Sequence, residues 1–191
     1  MLRNVMIVVV LIFLVGCQND GRTSLKVDMY NPSGDMVGTA TLKEQPEGVS
    51  VKVKVEGLKP GLHGIHVHEF PKCEGPDFKS AGNHFNPEGK DHGAMHPKGP
   101  HLGDLPNVEA DSSGVVDVEL MLAGATMLEG KKSLFKDQGK SLIIHSDMDD
   151  GVSQPSGDSG ERLICGEIKL KAEGSKESPP DPTENNEEKK K

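Results

Sequence analysis

The sequence predicts an all-β domain, and three observations favour this fold class. Valine alternates with polar residues through 49–56, which is the period of a strand with one buried face and one solvated face. Similar half-buried runs lie at 25–30, 36–43, 115–121, 141–146 and 163–170. Only 127–137 resembles a helix, and only briefly. Many short strands, separated by turns rich in glycine and proline, predict an antiparallel sandwich or a flattened barrel.

The two ends of the 191-residue chain do not fit this domain. The first residues combine one arginine with an apolar run too short to span a membrane, which predicts a signal peptide. The stretch Leu14-Val15-Gly16-Cys17 also fits a lipobox, in which Cys17 becomes the first mature residue and carries lipid. An ordinary secretory signal with a chance cysteine is the alternative.

These signals predict an exported protein, anchored by lipid to the extracytoplasmic face of the cell membrane. The C-terminal stretch is polar and lacks the apolar residues needed to offset the entropy of ordering it, so we expect it to be disordered. The predicted segments are a signal peptide at 1–16, a lipid-anchored tether at 17–23, one domain at 24–172 and a disordered polar tail at 173–191.

The composition excludes one class of partner and restricts the core. A formal net charge of −8 argues against binding to nucleic acid. The chain has no tryptophan and one tyrosine, so the core must consist mainly of valine, leucine and isoleucine. Lipid on the first cysteine leaves Cys73 and Cys165, and two such cysteines in an exported protein usually pair. Two free thiols are the alternative.

Two long segments, 70–104 and 147–162, are not strands. The first is rich in proline, glycine, histidine and aspartate, and the second contains several glycines and a proline. Long irregular connections in a compact domain are usually either functional or disordered. Ligands for a metal, together with a disulfide from Cys73, would order the first one.

Residues 63–69 read HGIHVHE and place histidines on a strand. Because alternate side chains of a strand share a face, His66 and His68 point the same way and can chelate a metal. His63 has the parity of Ile65, so we expect it to be buried and to support the ligands without binding metal. Two surface histidines without a metal are the alternative.

The first long segment adds further ligands. His84, His92, His101 and Asp104 supply four nitrogen or oxygen atoms, which suit a closed tetrahedral zinc site. His145 ends the strand-like run SLIIH. We expect His96 to be exposed and not to be a ligand. A histidine-rich loop that only buffers metal weakly is the alternative.

Five motifs occur in one order along the chain: GLHGIHVHE (61–69), SAGNHFNP (80–87), HLGDLPN (101–107), LIIHSDMDD (142–150) and GERLICG (160–166). With these motifs the chain resembles bacterial copper,zinc superoxide dismutases of the lipoprotein type over about 24–171. The resemblance implies an all-β fold, an eight-stranded Greek-key β-barrel or sandwich (immunoglobulin-like) with two long functional loops. It also implies dismutation of superoxide with one copper and one zinc per subunit.

The resemblance further implies the roles of individual residues. It assigns copper to His66, His68, His84 and His145, and zinc to His84, His92, His101 and Asp104. His84 therefore matches the bridging histidine, which also takes up a proton during the cycle. No metal ligand of the family pattern is missing.

Other matched residues surround the metals. Asp149 matches the carboxylate that links a copper histidine and a zinc histidine through their outer nitrogens, as outer carboxylates that orient ligands do. Cys73 and Cys165 match the disulfide of the family. Arg162 matches the arginine that overhangs the copper channel, where a guanidinium can hold the small substrate anion.

Two rival interpretations stay open beside the enzyme. One is a non-catalytic, metal-binding paralogue of the same family, and the other is a surface protein that only buffers metal. The complete copper set together with Arg162 favours the enzyme. No apolar stripe in the sequence decides between a monomer and a homodimer.

Overall fold

The computed structural model describes residues 23–170, and these form nine β-strands and two single turns of 3₁₀ helix. The predicted signal peptide, Cys17 with its predicted lipid, almost all of the predicted tether and the polar tail lie outside the described residues. Within the described range, no helix has both the length and the apolar character needed to cross a membrane.

All strand pairs are antiparallel. The strands are β1 (Ser24–Tyr30), β2 (Met36–Gln45), β3 (Gly48–Val55), β4 (Gly61–His63), β5 (Ile65–His68), β6 (Val108–Ala110), β7 (Val116–Ala123), β8 (Lys140–His145) and β9 (Arg162–Ile168). Seven of them form one curled sheet in the order β5-β8-β9-β1-β2-β3-β7, and β4 pairs with β6. Neighbours that are distant in the chain, such as β5 with β8, are typical of Greek-key connections. The predicted all-β fold is confirmed.

The alternation in β3 shows why the sequence folds this way. Val49, Val51, Val53 and Val55 are buried in the main core, whereas Lys52 and Lys54 are exposed. Burial of a valine side chain contributes roughly 1.5–3 kcal/mol, and β-branched residues also fit the pleated backbone. The period of the sequence thus sets which face of the sheet covers the core.

The strand expected around HGIHVHE is interrupted at Gly64, which separates β4 from β5. β4 pairs with β6, and β5 pairs with β8, so the chain changes partner at this glycine. A Cβ atom there would lie 3.0 Å from Ser159 Cβ and 3.2 Å from the His66 ring. The structure therefore has nine strands instead of the expected eight, because the strand around HGIHVHE is divided into β4 and β5.

The helix suggested at 127–137 does not form. The only helical residues in this stretch belong to a 3₁₀ turn, Lys136–Gln138, and Asp137 within it has a φ of 55°. Met127 and Leu134 are both buried in the main core, but an extended and turning backbone brings them there. The two apolar side chains thus reach the core separately, and no helical face is needed to bring them together.

The first long loop is fastened to the sheet by a disulfide between Cys73 and Cys165, as expected. Around it lies a second, smaller core of Phe78, Ala81, Ile143 and Cys165. Ile143 belongs to β8, so this small core covers the face of the sheet that points away from the main core. The loop is thereby held against the face on which the histidines lie.

Candidate metal centre

Strand parity places two histidines on the outer face of the sheet. β5 directs Ile65 and Val67 into the main core, so His66 and His68 point to the opposite side. On the neighbouring strand β8, Leu142 and Ile144 face the core in the same way. An irregularity in the pairing of β8 with β9, between Ile144 and His145, lies where the third histidine joins them.

The first long loop brings the remaining ligands by pairing with β5. His84 forms an isolated β-bridge with His68, and Asp104 forms one with His66. The loop therefore runs beside the strand although it is not itself a strand. This backbone pairing sets the distance between the loop histidines and the strand histidines.

Four buried histidines form the first group: His66, His68, His84 and His145. One potential ligand atom from each lies within 4.8 Å of all the others. Buried ring nitrogens without a hydrogen-bond partner occur in every member, namely His66 Nδ1, His68 Nε2, His84 Nε2 and both nitrogens of His145, and each ring can offer one of them to the group. Buried polar atoms without a partner are rare in native proteins, and here they converge. The group fits a metal ion that accepts nitrogen ligands.

Three histidines and one aspartate form the second group: His84, His92, His101 and Asp104. The potential ligand atoms again lie within 4.8 Å of one another. Asp104 Oδ1 lies 2.9 Å from His84 Nδ1, and Asp104 Oδ2 lies 3.0 Å from His92 Nδ1. His92 Nδ1 and His101 Nδ1 lie near this carboxylate but are not aligned for a hydrogen bond with it. Atoms that bind the same metal ion are arranged in this way, since each points to the ion and not to the other.

His84 belongs to both groups through opposite ring nitrogens. Its Nδ1 faces Asp104, and its buried Nε2 faces the first group without a partner. The His84 ring is also stacked on the His66 ring, with 4.0 Å between centroids. The two groups are therefore adjacent and share one side chain.

A carboxylate from the second long loop joins the groups from the outside. Asp149 Oδ2 accepts a hydrogen bond from His66 Nε2 at 2.8 Å, and Oδ1 accepts one from His92 Nε2 at 3.0 Å. A nitrogen that donates on one side of an imidazole leaves the other nitrogen with its lone pair. Asp149 thus directs the lone pairs of both Nδ1 atoms into the two groups.

Asn107 holds this carboxylate, and the sequence analysis gave Asn107 no role. Its Nδ2 donates to the backbone oxygen of Asp149 at 2.8 Å, and its Oδ1 accepts from the backbone nitrogen of Asp149 at 2.9 Å. The only signal in the sequence was its position at the end of the motif HLGDLPN.

Three imidazoles of the first group have lowered pKa values. Burial lowers the pKa of His84 to about 4 and that of His145 to about 3. Burial also lowers the pKa of His68 well below its ordinary value. Since only the neutral ring can donate a lone pair, these side chains are ready to bind metal without losing a proton.

The second group has a different charge. Burial alone disfavours a charged His92, but the nearby Asp104 carboxylate and the hydrogen bond to Asp149 outweigh this and raise its pKa to about 9. Burial alone would raise the pKa values of Asp104 and Asp149, but the histidines beside them hold both pKa values far below their usual range. Without a metal, a cationic His92 therefore lies between two carboxylates.

Arg162 lies at the edge of the first group. It donates to the backbone oxygens of Phe78 and Gly82, each at 2.7 Å, and Gly82 also accepts from His68 Nδ1 at 3.0 Å. Burial lowers its pKa, but a guanidinium keeps its charge at neutral pH. Among residues 23–170, no ion pair joins Arg162 to Glu161. The arginine is fixed to loop carbonyls, and one of these also orients a histidine of the group.

Two histidines stay outside both groups. His63 is buried, with Nδ1 at 2.7 Å from the His145 backbone oxygen and Nε2 at 2.8 Å from that of Lys59. It contacts the backbone of a histidine in the first group, as a supporting residue does. His96 is partly exposed, and its Nδ1 lies 3.5 Å from Asp91.

Known proteins are similar to most of the described chain. Residues 36–168 match the model of the family described as copper/zinc superoxide dismutase. Superoxide dismutase [Cu-Zn] 1 of Aquifex aeolicus is 44% identical over 144 residues, which are 74% of this chain and 85% of that protein. The superoxide dismutase-like protein YojM of Bacillus subtilis is 39% identical over 145 residues, 74% of each.

Solved structures agree with these relatives. A double mutant of a superoxide dismutase-like protein from Bacillus subtilis superposes with a TM-score of 0.74 at 40% identity, covering 76% of this chain and 97% of that one. The Cu/Zn superoxide dismutase from Brucella abortus gives a TM-score of 0.62 at 35% identity, covering 76% and 99%.

The raised pKa of His92 predicts a proton release that accompanies zinc binding. At neutral pH the metal-free protein has a cationic His92, because the pKa of this histidine is about 9. The proton on Nδ1 must leave before Nδ1 can bind zinc, whereas the proton on Nε2 stays in the hydrogen bond to Asp149. Calorimetric titration with zinc in buffers of different ionisation enthalpy should show release of about one proton, falling toward zero as the pH rises above about 9.

The matched control is Asp149→Asn, which removes one of the two carboxylates that raise this pKa. Its proton release at neutral pH should be smaller than that of the wild type. Equal release by both proteins would show that the proton does not come from His92.

Proposed function

Since the chain belongs to the copper/zinc superoxide dismutase family, we propose that it is an enzyme that converts two superoxide anions and two protons into oxygen and hydrogen peroxide. One observation carries the proposal: a complete group of four histidines with convergent, unpartnered nitrogens lies beside a fixed guanidinium. A binding protein has no evident need for a cation next to its metal ligands.

We propose that the first group holds copper and the second holds zinc, with His84 bridging them. Four imidazoles suit copper(II), and three imidazoles with one carboxylate suit zinc. When bound, copper supplies the one-electron oxidation of one superoxide and the one-electron reduction of the next, whereas zinc has no redox chemistry. Asp149 keeps the rings of His66 and His92 oriented toward the metals.

Arg162 is the proposed binding residue for the substrate anion. Its planar guanidinium retains charge and is held by two carbonyls at the edge of the copper group, so it can attract and orient superoxide by hydrogen bonds. His84 is the proposed proton carrier at Nε2. Its ring is neutral at neutral pH, this nitrogen is buried without a partner, and its Nδ1 faces Asp104.

The proposed location is the extracytoplasmic face of the cell membrane, to which lipid on Cys17 would anchor the protein. The lipobox supports this, and so does the Cys73–Cys165 disulfide, because such bonds persist in oxidising compartments. There the enzyme would remove superoxide that forms outside the cytoplasm.

A non-catalytic paralogue remains the second candidate, because one relative is named superoxide dismutase-like rather than superoxide dismutase. The present chain retains all four histidines of the copper group. Superoxide dismutation by the purified protein before and after copper loading separates the two candidates.

Loss of one strand histidine should remove copper selectively. In His68→Ala the copper group keeps three imidazoles, so copper binding and most of the dismutase activity should be lost, while zinc stays. His96→Ala is the matched control, since His96 lies outside both groups. Metal analysis and activity should be measured on the same samples, and wild-type activity in copper-free His68→Ala protein would rule out the proposed site.

Loss of the arginine should slow the reaction without removing the metals. Arg162→Ala should retain copper and zinc, yet dismute superoxide about tenfold more slowly, the equivalent of about 1.4 kcal/mol of interaction with the reacting anion. Arg162→Lys should be affected less, because the charge survives while the planar fork is lost. Rates of copper-replete proteins at two ionic strengths test this, and an alanine variant with the wild-type rate and salt dependence would show that Arg162 does not guide the substrate.

The anchor is tested by Cys17→Ser, since only a thiol can accept the lipid. The variant should be released from membranes or retained as an uncleaved precursor. Fractionation with detection of the mature N-terminus measures this, and normal processing with unchanged membrane retention would show that another segment anchors the protein.

A further inference from the structure

A glutamine of the second long loop binds the backbone of one zinc-group histidine on both sides. Gln154 Oε1 accepts a hydrogen bond from the backbone nitrogen of His92 at 2.8 Å. Gln154 Nε2 donates to the backbone oxygens of His92 and Val152, both at 2.9 Å. A single side chain therefore pairs with both backbone polar groups of His92, as a neighbouring strand would do.

The segment that presents this glutamine is itself constrained. Asp150 Oδ1 accepts from the backbone nitrogens of Val152 and Ser153 at 2.9 and 2.8 Å. These bonds close a turn immediately before Gln154. The glutamine is thus presented by an ordered turn, although it lies on the exposed side of the loop.

The two loops also touch directly beside His92. Gly93 has a φ of +97°, and a Cβ atom at this position would lie 2.0 Å from the Gly151 backbone oxygen. That oxygen accepts a hydrogen bond from the Met95 backbone nitrogen at 3.2 Å. The chain on the C-terminal side of His92 is therefore packed against the second loop with no space for a side chain.

The second loop thus holds His92 at two places: Asp149 fixes Nε2 of its ring, and Gln154 fixes its backbone. An imidazole bonded only at its outer nitrogen can still move when its backbone shifts. With the backbone fixed as well, the position of Nδ1 in the zinc group is determined. His92 itself is completely buried, although Gln154 is exposed.

We infer that Gln154 is a positioning residue for the zinc group, so that the second loop as well as the first sets how firmly zinc is held. The inference rests on the proposed assignment of zinc to His84, His92, His101 and Asp104. It assigns a role to a residue that belongs to none of the five motifs and contacts none of the ligand atoms.

The experiment compares zinc release from metal-loaded full-length variants in excess chromogenic chelator. Gln154→Ala should release zinc roughly tenfold faster than the wild type, since loss of residues that orient metal ligands typically costs 10–100-fold in affinity. Gln154→Glu should also be faster, because it keeps the acceptor for the His92 N–H but loses both donors. The matched control is Gln45→Ala, an exposed amide on β2, which should behave as the wild type.

A second readout separates positioning from a general loosening of the loop. With cobalt(II) replacing zinc, the visible spectrum of Gln154→Ala should differ from that of the wild type, because the spectrum reports the geometry of the ligands. Copper release should change little. Unchanged zinc release, or equal acceleration of zinc and copper release with a wild-type cobalt spectrum, would overturn the inference.

The outcome is distinguishable from failure of the proposed function. Dismutase activity of the copper-loaded wild type tests the enzyme, and zinc content of His92→Ala tests the zinc assignment. If the wild type is inactive but zinc release responds to Gln154, the enzyme proposal fails and the inference stands. If His92→Ala binds zinc as well as the wild type, the assignment and the inference fail together.

Discussion

The hydrogen bonds from His66 and His92 to the two oxygens of Asp149 are the interaction on which the site depends. Each bond occupies the outer nitrogen of a ring and leaves the inner nitrogen free for metal. One ring belongs to the four-histidine group and the other to the group with Asp104, so a single buried carboxylate orients both. A buried carboxylate is costly unless it is fully bonded, and here two histidines, the Gly151 backbone nitrogen and the backbone bonds to Asn107 hold it in place. The position of the second loop and the geometry of both groups therefore depend on each other.

The two groups differ in charge although they share His84. Burial lowers the pKa of His84 to about 4 and that of His145 to about 3, so these two rings of the four-histidine group are neutral at neutral pH. The other group contains a carboxylate that stays ionised and a histidine that is cationic until a metal replaces its proton. Four nitrogens in one group, and three nitrogens with a carboxylate oxygen in the other, are distinct ligand sets. The fold thus places two different ligand sets side by side, and the carboxylate of Asp104 is what distinguishes them.

Much of this arrangement follows from local patterns, and the rest does not. The valines of β3 and the parity of His66 and His68 could be predicted, because both depend only on the period of a strand. The ligand set, the disulfide partners and Asp149 came from motifs matched to a family. The break at Gly64, the short strand β6 and the roles of Asn107 and Gln154 could not be predicted, since each depends on a contact between segments distant in the chain. The brief resemblance of 127–137 to a helix was misleading, because Met127 and Leu134 reach the core individually and not from one helical face.

The side-chain amides of Asn107 and Gln154 bond backbone groups that have no strand to pair with. His92 and Asp149 lie in irregular segments, where no neighbouring strand is available to pair with their N–H and C=O groups. Buried backbone groups without partners are costly, and the amides of asparagine and glutamine carry an uncharged donor and an uncharged acceptor side by side, so one side chain can bond the N–H and the C=O of the same residue. Asn107 bonds both backbone groups of Asp149, and Gln154 bonds both backbone groups of His92. The two residues so held are the two partners of the bond between Asp149 Oδ1 and His92 Nε2. The amides therefore take the place of a β-ladder on both sides of this bond, and they hold in position the backbones of the two residues that form it.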